Sequence, residues 1–233
     1  MIRNHLFSIL FFSGIIFISL IFLPAFFLPR KIVLIGGKLM GYWTGFCLRL
    51  VLSVKISIKG KENIINNKKF FIAASHQSMF ETFYLQTIFN SPVFILKKEL
   101  LKIPIFGWHL KKIGSIPIER NKITKENLGF SDQIKKHVNN SNRPIIIFPQ
   151  ATRLDVLDRS PFKKGVKRIY EELNIFCQPV ALNSGNIWPK KGTLSSNKTL
   201  TISILDPINP GMNPDEFIKL LQKNIYEEID KIN

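Results

Sequence analysis

The sequence predicts an α/β domain that follows an apolar, membrane-associated N-terminal segment. From residue 53 onward, short β-branched or apolar runs alternate with longer amphipathic runs, a pattern typical of strands alternating with helices. Before that point the chain is almost continuously apolar. We therefore expect membrane-anchoring helices over residues 1–52 and a single α/β domain over residues 53–233.

The composition indicates a folded domain without a metal site or a disulfide framework. The 233 residues are 45% apolar and the mean hydropathy is +0.11, which excludes disorder over most of the chain. The two cysteines, Cys47 and Cys177, cannot form a disulfide framework, and no His or Cys cluster has the spacing of metal ligands. We predict a reduced domain that faces the cytosol and holds no metal.

The charge is strongly positive and unevenly distributed. The net charge is +17, from 33 basic and 16 acidic residues. Residues 30–125 contain 17 basic and 4 acidic residues, whereas residues 126–233 contain 15 and 12. This asymmetry predicts a face that meets an anionic membrane surface, a phosphorylated substrate or nucleic acid. Nucleic acid is disfavoured, because the cations are not interleaved with aromatic clusters and no reading motif is present.

The first element is an uncharged apolar run over residues 6–28. As a helix it would extend about 35 Å, enough to cross a hydrocarbon core of about 30 Å. Its length and the lack of a small-residue cleavage site argue against a cleaved signal peptide. Pro24 is expected to end or kink the helix, and the basic residues that follow favour a cytoplasmic main body.

A second apolar stretch covers residues 39–54. It contains Tyr42 and Trp43, which favour the membrane interface, and it is interrupted by Arg49. These features predict a helix lying in the headgroup plane, with a half-buried helix of the globular core as the alternative.

Strands and helices then alternate to the C-terminus. Period-two or continuous apolar runs predict strands over residues 53–59, 69–74, 92–96, 115–118, 144–148, 176–182 and 200–205. The predicted helices cover residues 79–89, 106–113, 124–139, 165–173 and 214–232. Asn213 is expected to cap the last helix, with Pro214 at its first position.

The main candidate for catalysis follows the buried strand over residues 69–74. A strand that leads polar residues into a loop before a helix is a frequent active-site position in α/β folds. His76 can exchange a proton near neutral pH, and Glu81 could orient the imidazole and stabilise its charged form. The alternative is structural, because Ser78 and Glu81 have the spacing of a helix capping box. The remaining histidines are expected at the interface or the surface: His5, His109 and His137.

Other polar clusters also follow predicted strands. Lys97 follows the third predicted strand, Glu119 and Arg120 stand at the end of the fourth, and residues 148–153 lie at the exit of the fifth. Arg120 offers a planar, bidentate cation for a phosphate, with a solvated surface charge as the alternative. Because no glycine-rich nucleotide-binding motif is present, these cations point to a smaller phosphate ligand or a lipid headgroup.

Four segments, in this order, resemble the motifs of the glycerolipid acyltransferase family. The chain has SHQSMFE, GSIPIER, FPQATR and QPVALNSG, where the family has N-H-x-x-x-x-D, G-x-[IV]-x-[IV]-[DE]-R, F-P-E-G-T-R and V-P-V-A-L-N-[ST]-G. The resemblance covers roughly residues 54–185. It implies a mixed central sheet flanked by helices, preceded by membrane-embedded helices.

The resemblance also implies an activity. It implies a membrane-bound O-acyltransferase that moves a fatty acyl group to the free sn-2 hydroxyl of 1-acyl-sn-glycerol 3-phosphate, giving phosphatidic acid. The implied co-substrate is acyl-CoA or an acyl carrier protein thioester, and no cofactor is needed. The implied location is a bacterial inner membrane, with the catalytic domain on the cytoplasmic side.

Individual roles follow from the same resemblance. His76 is implied to be the general base toward the acceptor hydroxyl, with Glu81 as its partner. Lys97 and Arg120 are implied to bind the acceptor phosphate. The FPQATR segment is implied to shape the acceptor pocket, and it consists of Phe148, Pro149, Gln150, Ala151, Thr152 and Arg153.

Three departures from the family pattern bear on the chemistry. Glu81 stands where the main family has Asp, Gln150 replaces Glu, and Ala151 replaces Gly. The longer arm of Glu81 can still reach an imidazole, so we expect activity. The missing carboxylate at Gln150 leaves open another lysophospholipid or a lyso-aminolipid as acceptor. A further alternative is a non-catalytic module that binds anionic lipid, in which His76 and Glu81 serve only the helix cap.

Overall fold

A computed structural model describes residues 2–118 and 129–233, and the chain forms two compact units. Unit 1 comprises Met1–Val51 and Thr82–Ile145, and unit 2 comprises Leu52–Glu81 and Ile146–Asn233. Arg120, the predicted phosphate ligand, lies outside the described residues, as does Glu119. The functional division between residues 1–52 and 53–233 stays a prediction.

Unit 1 begins with two long helices, α1 (Ile2–Ile21) and α2 (Arg30–Leu52), of which α2 ends at the first residue of unit 2. A short 3-10 turn, Leu23–Phe27, separates them and has Pro24 in its first turn. The proline therefore ends α1 before the apolar run is complete, as its missing N–H and fixed φ require. The second helix begins earlier than the apolar stretch predicted, because Arg30, Lys31 and Lys38 do not interrupt it.

One face of α1 packs inside unit 1, and the other is exposed. Phe7 and Phe11 are buried, and the ring of Phe11 meets Phe83 edge-on at 5.5 Å. Gly14 leaves room for the indole of Trp43 on α2, because a Cβ there would lie 2.0 Å from its Nε1. The opposite face carries exposed apolar side chains: Leu6, Ile9, Phe12, Ile16, Phe17 and Leu20. By length and composition, α1 is also a helix that could cross a membrane.

Among the described residues, the other elements that lie wholly in unit 1 are short. They are β3 (Val93–Lys97), a 3-10 turn (Lys98–Lys102), α4 (Phe106–Lys112), β4 (Ile116–Ile118) and α5 (Phe130–Asn140). Strands β3 and β4 pair in parallel. His109 was expected at the interface or the surface, and it does not lie at the surface. It is 6% exposed and its Nε2 lies 2.9 Å from the carbonyl oxygen of Ser19, so it joins α4 to α1.

Unit 2 contains a mixed sheet. Its paired strands are β1 (Lys55–Lys59), β2 (Phe70–Ala74), β6 (Phe176–Leu182) and β7 (Thr199–Ile204). They lie in the order β1-β7-β6-β2, with β6 and β7 antiparallel and the other two pairs parallel. The short strand β5 (Ile145–Ile147) begins at the boundary between the units.

Three further α-helices lie in the described part of the chain: α3 (Phe80–Ile88), α6 (Lys164–Leu173) and α7 (Pro214–Ile232). Helix α7 begins as predicted, since the Asn213 side chain accepts a hydrogen bond from the N–H of Asp215 at 2.9 Å. Phe217 of α7 contacts the ring of Phe71 in β2, and stacks on Tyr170 of α6 at 3.7 Å. These contacts place helices against the sheet, which confirms the predicted mixed sheet flanked by helices.

Candidate active site

Strand β2 leads directly to the candidate site. Its last residues, Ala73 and Ala74, are fully buried beside the parallel strand β6. Ser75 continues this pairing, since its N–H donates to the carbonyl of Val180 at 2.9 Å and its Oγ accepts from the N–H of Leu182 at 2.9 Å. The backbone is thus fixed up to the residue before His76.

His76 and Glu81 are in direct contact. Nδ1 of His76 lies 3.0 Å from Oε1 of Glu81, and the carboxylate is fully buried. The contact is possible because His76 lies in the loop and Glu81 in the first turn of α3. A carboxylate at Nδ1 holds the ring with its proton on that nitrogen, which directs the lone pair of Nε2 away from Glu81.

The same carboxylate also closes the capping box. The N–H of Ser78 donates to Oε1 of Glu81 at 2.7 Å, and Oγ of Ser78 accepts from the N–H of Phe80 at 3.1 Å. The N–H of Gln77 is a further donor to Oε1, at 2.6 Å. Capping and orientation of the imidazole are therefore not alternatives in this chain, because one oxygen atom of Glu81 serves both.

The FPQATR segment and the residue that follows it both contact His76. Oε1 of Gln150 accepts a hydrogen bond from the N–H of His76 at 2.9 Å. The N–H of Leu154, one residue beyond the segment, donates to the carbonyl of His76, also at 2.9 Å. The ring of Phe148 stacks on the imidazole with centroids 4.1 Å apart. Three contacts from one loop thus fix where the imidazole lies.

Gln150 and Ala151, two of the departures from the family pattern, have defined structural roles. Gln150 is buried and makes a second side-chain hydrogen bond, to Tyr226, whose pKa is raised mainly by burial. Ala151 has a φ of +60°, a left-handed conformation that favours glycine. Glycine, which the family motif has here, adopts this conformation without strain, whereas alanine adopts it at a conformational cost.

The remaining predicted site residues in the described part of the chain contact neither His76 nor Glu81 through the hydrogen bonds and ion pairs that follow. Oγ1 of Thr152 accepts a hydrogen bond from Nζ of Lys190 at 3.0 Å, and Arg153 is partly exposed. The carbonyl of Pro149 accepts from the N–H of Lys163 at 2.9 Å. Lys97 belongs to unit 1, where its ammonium group pairs with Glu99 at 3.1 Å.

Sequence reasoning did not single out Ser184 and Gln77. Oγ of Ser184 donates to Oε2 of Glu81 at 2.9 Å, and Ser184 is fully buried. Oε1 of Gln77 accepts from the N–H of Gly185 at 3.0 Å. The one feature of the sequence that could have identified them is their position, Ser184 in the QPVALNSG segment and Gln77 in the SHQSMFE segment. The second oxygen of Glu81 is therefore also held by a polar partner.

The described residues contain no group of three or more His, Cys, Asp or Glu side chains arranged to hold a metal ion. The groups assembled here are a base, a carboxylate and several hydrogen-bond donors. This arrangement suits proton transfer by His76 rather than ligation of a cation.

Comparisons with known proteins show which family the chain resembles. A family model described as Acyltransferase matches residues 55–183, which include the His76 loop and the FPQATR segment. A 1-acyl-sn-glycerol-3-phosphate acyltransferase from Pseudomonas aeruginosa is 31% identical over 70% of this chain and 63% of its own length. A protein of the same name from Helicobacter pylori is 31% identical over 67% of each chain.

The similarity extends to a eukaryotic protein and to a solved structure. The Saccharomyces cerevisiae 1-acyl-sn-glycerol-3-phosphate acyltransferase is 28% identical over 76% of this chain and 60% of its own length. The chain thus spans less than two thirds of the Pseudomonas and yeast relatives. The crystal structure of the 1-acyl-sn-glycerophosphate (LPA) acyltransferase PlsC from Thermotoga maritima superposes with a TM-score of 0.80 at 22% identity, covering 100% of this chain and 98% of that one.

Proposed function

The chain belongs to the acyltransferase family, and on that premise we propose that it acylates the free sn-2 hydroxyl of 1-acyl-sn-glycerol 3-phosphate. The product is phosphatidic acid, and the acyl donor is a thioester of coenzyme A or of acyl carrier protein. No cofactor takes part. The names of the relatives support this acceptor, and the His76–Glu81 contact supports the chemistry.

The observation that carries the proposal is the 3.0 Å contact between Nδ1 of His76 and Oε1 of Glu81. With the proton held on Nδ1, Nε2 accepts the proton of the acceptor hydroxyl. The buried carboxylate stabilises the imidazolium that forms, because opposite charges interact strongly where water is excluded. Phe148 and Gln150 hold the ring in place, so little reorganisation is needed during the reaction.

The reaction is a direct transfer. The acceptor oxygen attacks the carbonyl carbon of the thioester while its proton passes to Nε2 of His76. The C–S bond then breaks, and the thiolate leaves with the proton that His76 returns. The enzyme forms no covalent intermediate.

We propose that Arg120, Lys97 and Arg153 recognise the acceptor phosphate, as the family resemblance implies. The buried Gln150 contacts His76 and Tyr226, which supports a role in shaping the loop and leaves the acceptor phosphate to the cations. Another lysophospholipid or a lyso-aminolipid remains the second candidate acceptor, because Gln150 replaces the family carboxylate.

We propose that the protein is bound to a bacterial inner membrane with its catalytic site on the cytoplasmic side. The exposed apolar face of α1 supports membrane association. The basic excess that follows α1 in the sequence supports the sidedness. The same excess supports binding to an anionic membrane surface.

An acceptor panel tests this function. The full-length chain in detergent micelles is given one acyl-CoA or one acyl carrier protein thioester, and release of free thiol is measured with each acceptor. We expect the highest kcat/KM with 1-acyl-sn-glycerol 3-phosphate. Faster transfer to a phosphate-free lyso-aminolipid would contradict the proposed acceptor. If none of the acceptors in the panel gives thiol release, the result would indicate the non-catalytic alternative.

A further inference from the structure

A basic cleft lies in unit 1, where α2 begins. It has a volume of about 430 Å³, and four of its lining residues are cationic: Arg30, Lys31, Lys38 and Arg143. Two polar residues, Asn90 and Ser91, complete the polar part of the lining. None of these residues is among those assigned to the acceptor or to catalysis.

Main-chain carbonyl groups, rather than carboxylates, hold both guanidinium groups of the cleft. Arg143 donates from Nε to the carbonyl of Ser91 and from Nη1 to that of Ile113, each at 2.7 Å. Arg30 donates from Nε to the carbonyl of Lys112 at 3.1 Å. Within residues 2–118 and 129–233, no ion pair joins any of the four cations to an acid. The carbonyl groups orient the guanidinium groups but do not neutralise them.

The electrostatics of the cleft favour an anion. Burial, and then the neighbouring charge of Arg30, lower the pKa of Arg143 to about 10, so it stays cationic at neutral pH. Burial, together with the charges of Arg143 and Arg30, also lowers the pKa of His137. The first turn of α2 has no acidic residue, and the positive end of its dipole adds to the potential. An anion bound here would offset this repulsion.

The apolar part of the lining indicates which anion fits. Leu34 and Ile35 line the same cleft, and Ile35 is 55% exposed. Phe27 and Leu28, just before α2, are also exposed. A free phosphate ion gains nothing from such neighbours, whereas a lipid places its acyl chains beside its headgroup.

We propose that this cleft binds the phosphate group of an anionic phospholipid, with the guanidinium groups of Arg30 and Arg143 as its main ligands. Lys31 and Lys38 add long-range attraction, and Leu34 and Ile35 contact the start of the acyl chains. This binding does not depend on acyl transfer. It gives unit 1 a headgroup-specific contact in addition to the apolar face of α1.

Vesicle binding by the full-length protein tests the proposal. Phosphatidylcholine vesicles are prepared with phosphatidylglycerol or with an equal surface charge of oleate, which carries no phosphate. The variant Arg30→Gln/Lys38→Gln is compared with wild type. The matched control is Lys219→Gln/Lys223→Gln, which removes the same charge from exposed positions on α7. Circular dichroism melting verifies that each variant folds. If the first pair does not fold, Arg30→Gln alone replaces it, with Lys219→Gln alone as its control.

We expect the cleft variant to lose affinity for phosphatidylglycerol vesicles by about fivefold per removed charge, and the control variant to lose much less. Wild type should prefer phosphatidylglycerol over oleate, and the cleft variant should not. An equal loss in both variants, or no preference between the two anions, would overturn the proposal in favour of diffuse attraction. Inorganic phosphate could instead raise the melting temperature of wild type but not of the cleft variant, with no preference of wild type for phosphatidylglycerol. That result would overturn the proposal and assign the cleft to a soluble ligand.

Discussion

Nδ1 of His76 lies 3.0 Å from Oε1 of Glu81, an oxygen that also accepts hydrogen bonds from the N–H groups of Gln77 and Ser78. Three donors on one carboxylate oxygen tie the imidazole to the N-terminus of α3. A movement of that helix would therefore move the base. The geometry also means that the role of Glu81 as a cap and its role as a charge can be separated experimentally.

Replacing Glu81 by Gln separates these roles. The Gln carbonyl oxygen can accept the same three hydrogen bonds, and its amide can donate to Oγ of Ser184, which then acts as acceptor. The melting temperature should change little, whereas loss of the charge should lower kcat by about 10²-fold or more. Glu81→Ala is the control that removes both roles and should also lower the melting temperature. An unchanged kcat in Glu81→Gln would leave Glu81 as a cap alone.

Ser184 is expected to act through Glu81 as a positioning residue. The Ser184→Ala variant lacks the hydroxyl that donates a hydrogen bond to the buried Glu81 carboxylate. A hydrogen bond to a charged group contributes about 1.5–3 kcal/mol to stability. We expect a lower kcat with an unchanged KM for 1-acyl-sn-glycerol 3-phosphate. Ser184→Thr keeps the hydroxyl and should restore kcat. A Thr variant as slow as the Ala variant would mean that packing at this position, and not the hydroxyl, is what matters.

The left-handed backbone at Ala151 predicts a stabilising substitution. Its φ of +60° disfavours a side chain, so Ala151→Gly should raise the free energy of unfolding by up to about 1 kcal/mol. Ala73→Gly, in buried strand β2, is the matched control and should destabilise the protein. Denaturant unfolding measures both. Destabilisation of equal size at the two positions would contradict strain at Ala151.

Arg120 lies outside the described residues, so its prediction rests on the family motif. If its guanidinium group binds the acceptor phosphate, Arg120→Lys keeps the charge but loses the planar fork. Loss of one charge-assisted hydrogen bond corresponds to about 1.5–3 kcal/mol, or roughly a 10- to 150-fold loss in kcat/KM for the acceptor. Steady-state kinetics should show no change in the KM of the acyl donor. A raised donor KM with normal acceptor kinetics would assign Arg120 to the thioester carrier instead.

The sequence predicted the elements of this fold well because their signals are local. The strand at residues 176–182 and the capping of α7 by Asn213 lie where the pattern placed them. The capping box at Ser78 and Glu81 was also readable, since both partners lie within one helical turn. The start of α2 was predicted too late, because the helix begins in basic turns that lie before the apolar run.

The tertiary contacts of the site were not readable from the sequence. Gln150 contacts the backbone of His76 across 74 positions, and Ser184 contacts Glu81 across 103. Such contacts depend on how strands and loops meet, and residue type alone does not specify a partner. The departure at Gln150 therefore suggested a change of acceptor, whereas the structure gives its side chain a contact with the His76 loop.

The central claim is that His76 is the base that activates the acceptor hydroxyl, and thiol release by His76 variants tests it most directly. His76→Asn keeps a donor toward Glu81 and limits the cavity beside Phe148, and His76→Ala removes the side chain entirely. With 1-acyl-sn-glycerol 3-phosphate and one thioester, we expect both variants to lose about 10²- to 10⁴-fold in kcat while they still fold and bind vesicles. A folded variant that retains more than about a tenth of the wild-type rate would contradict the assignment of His76 as the base.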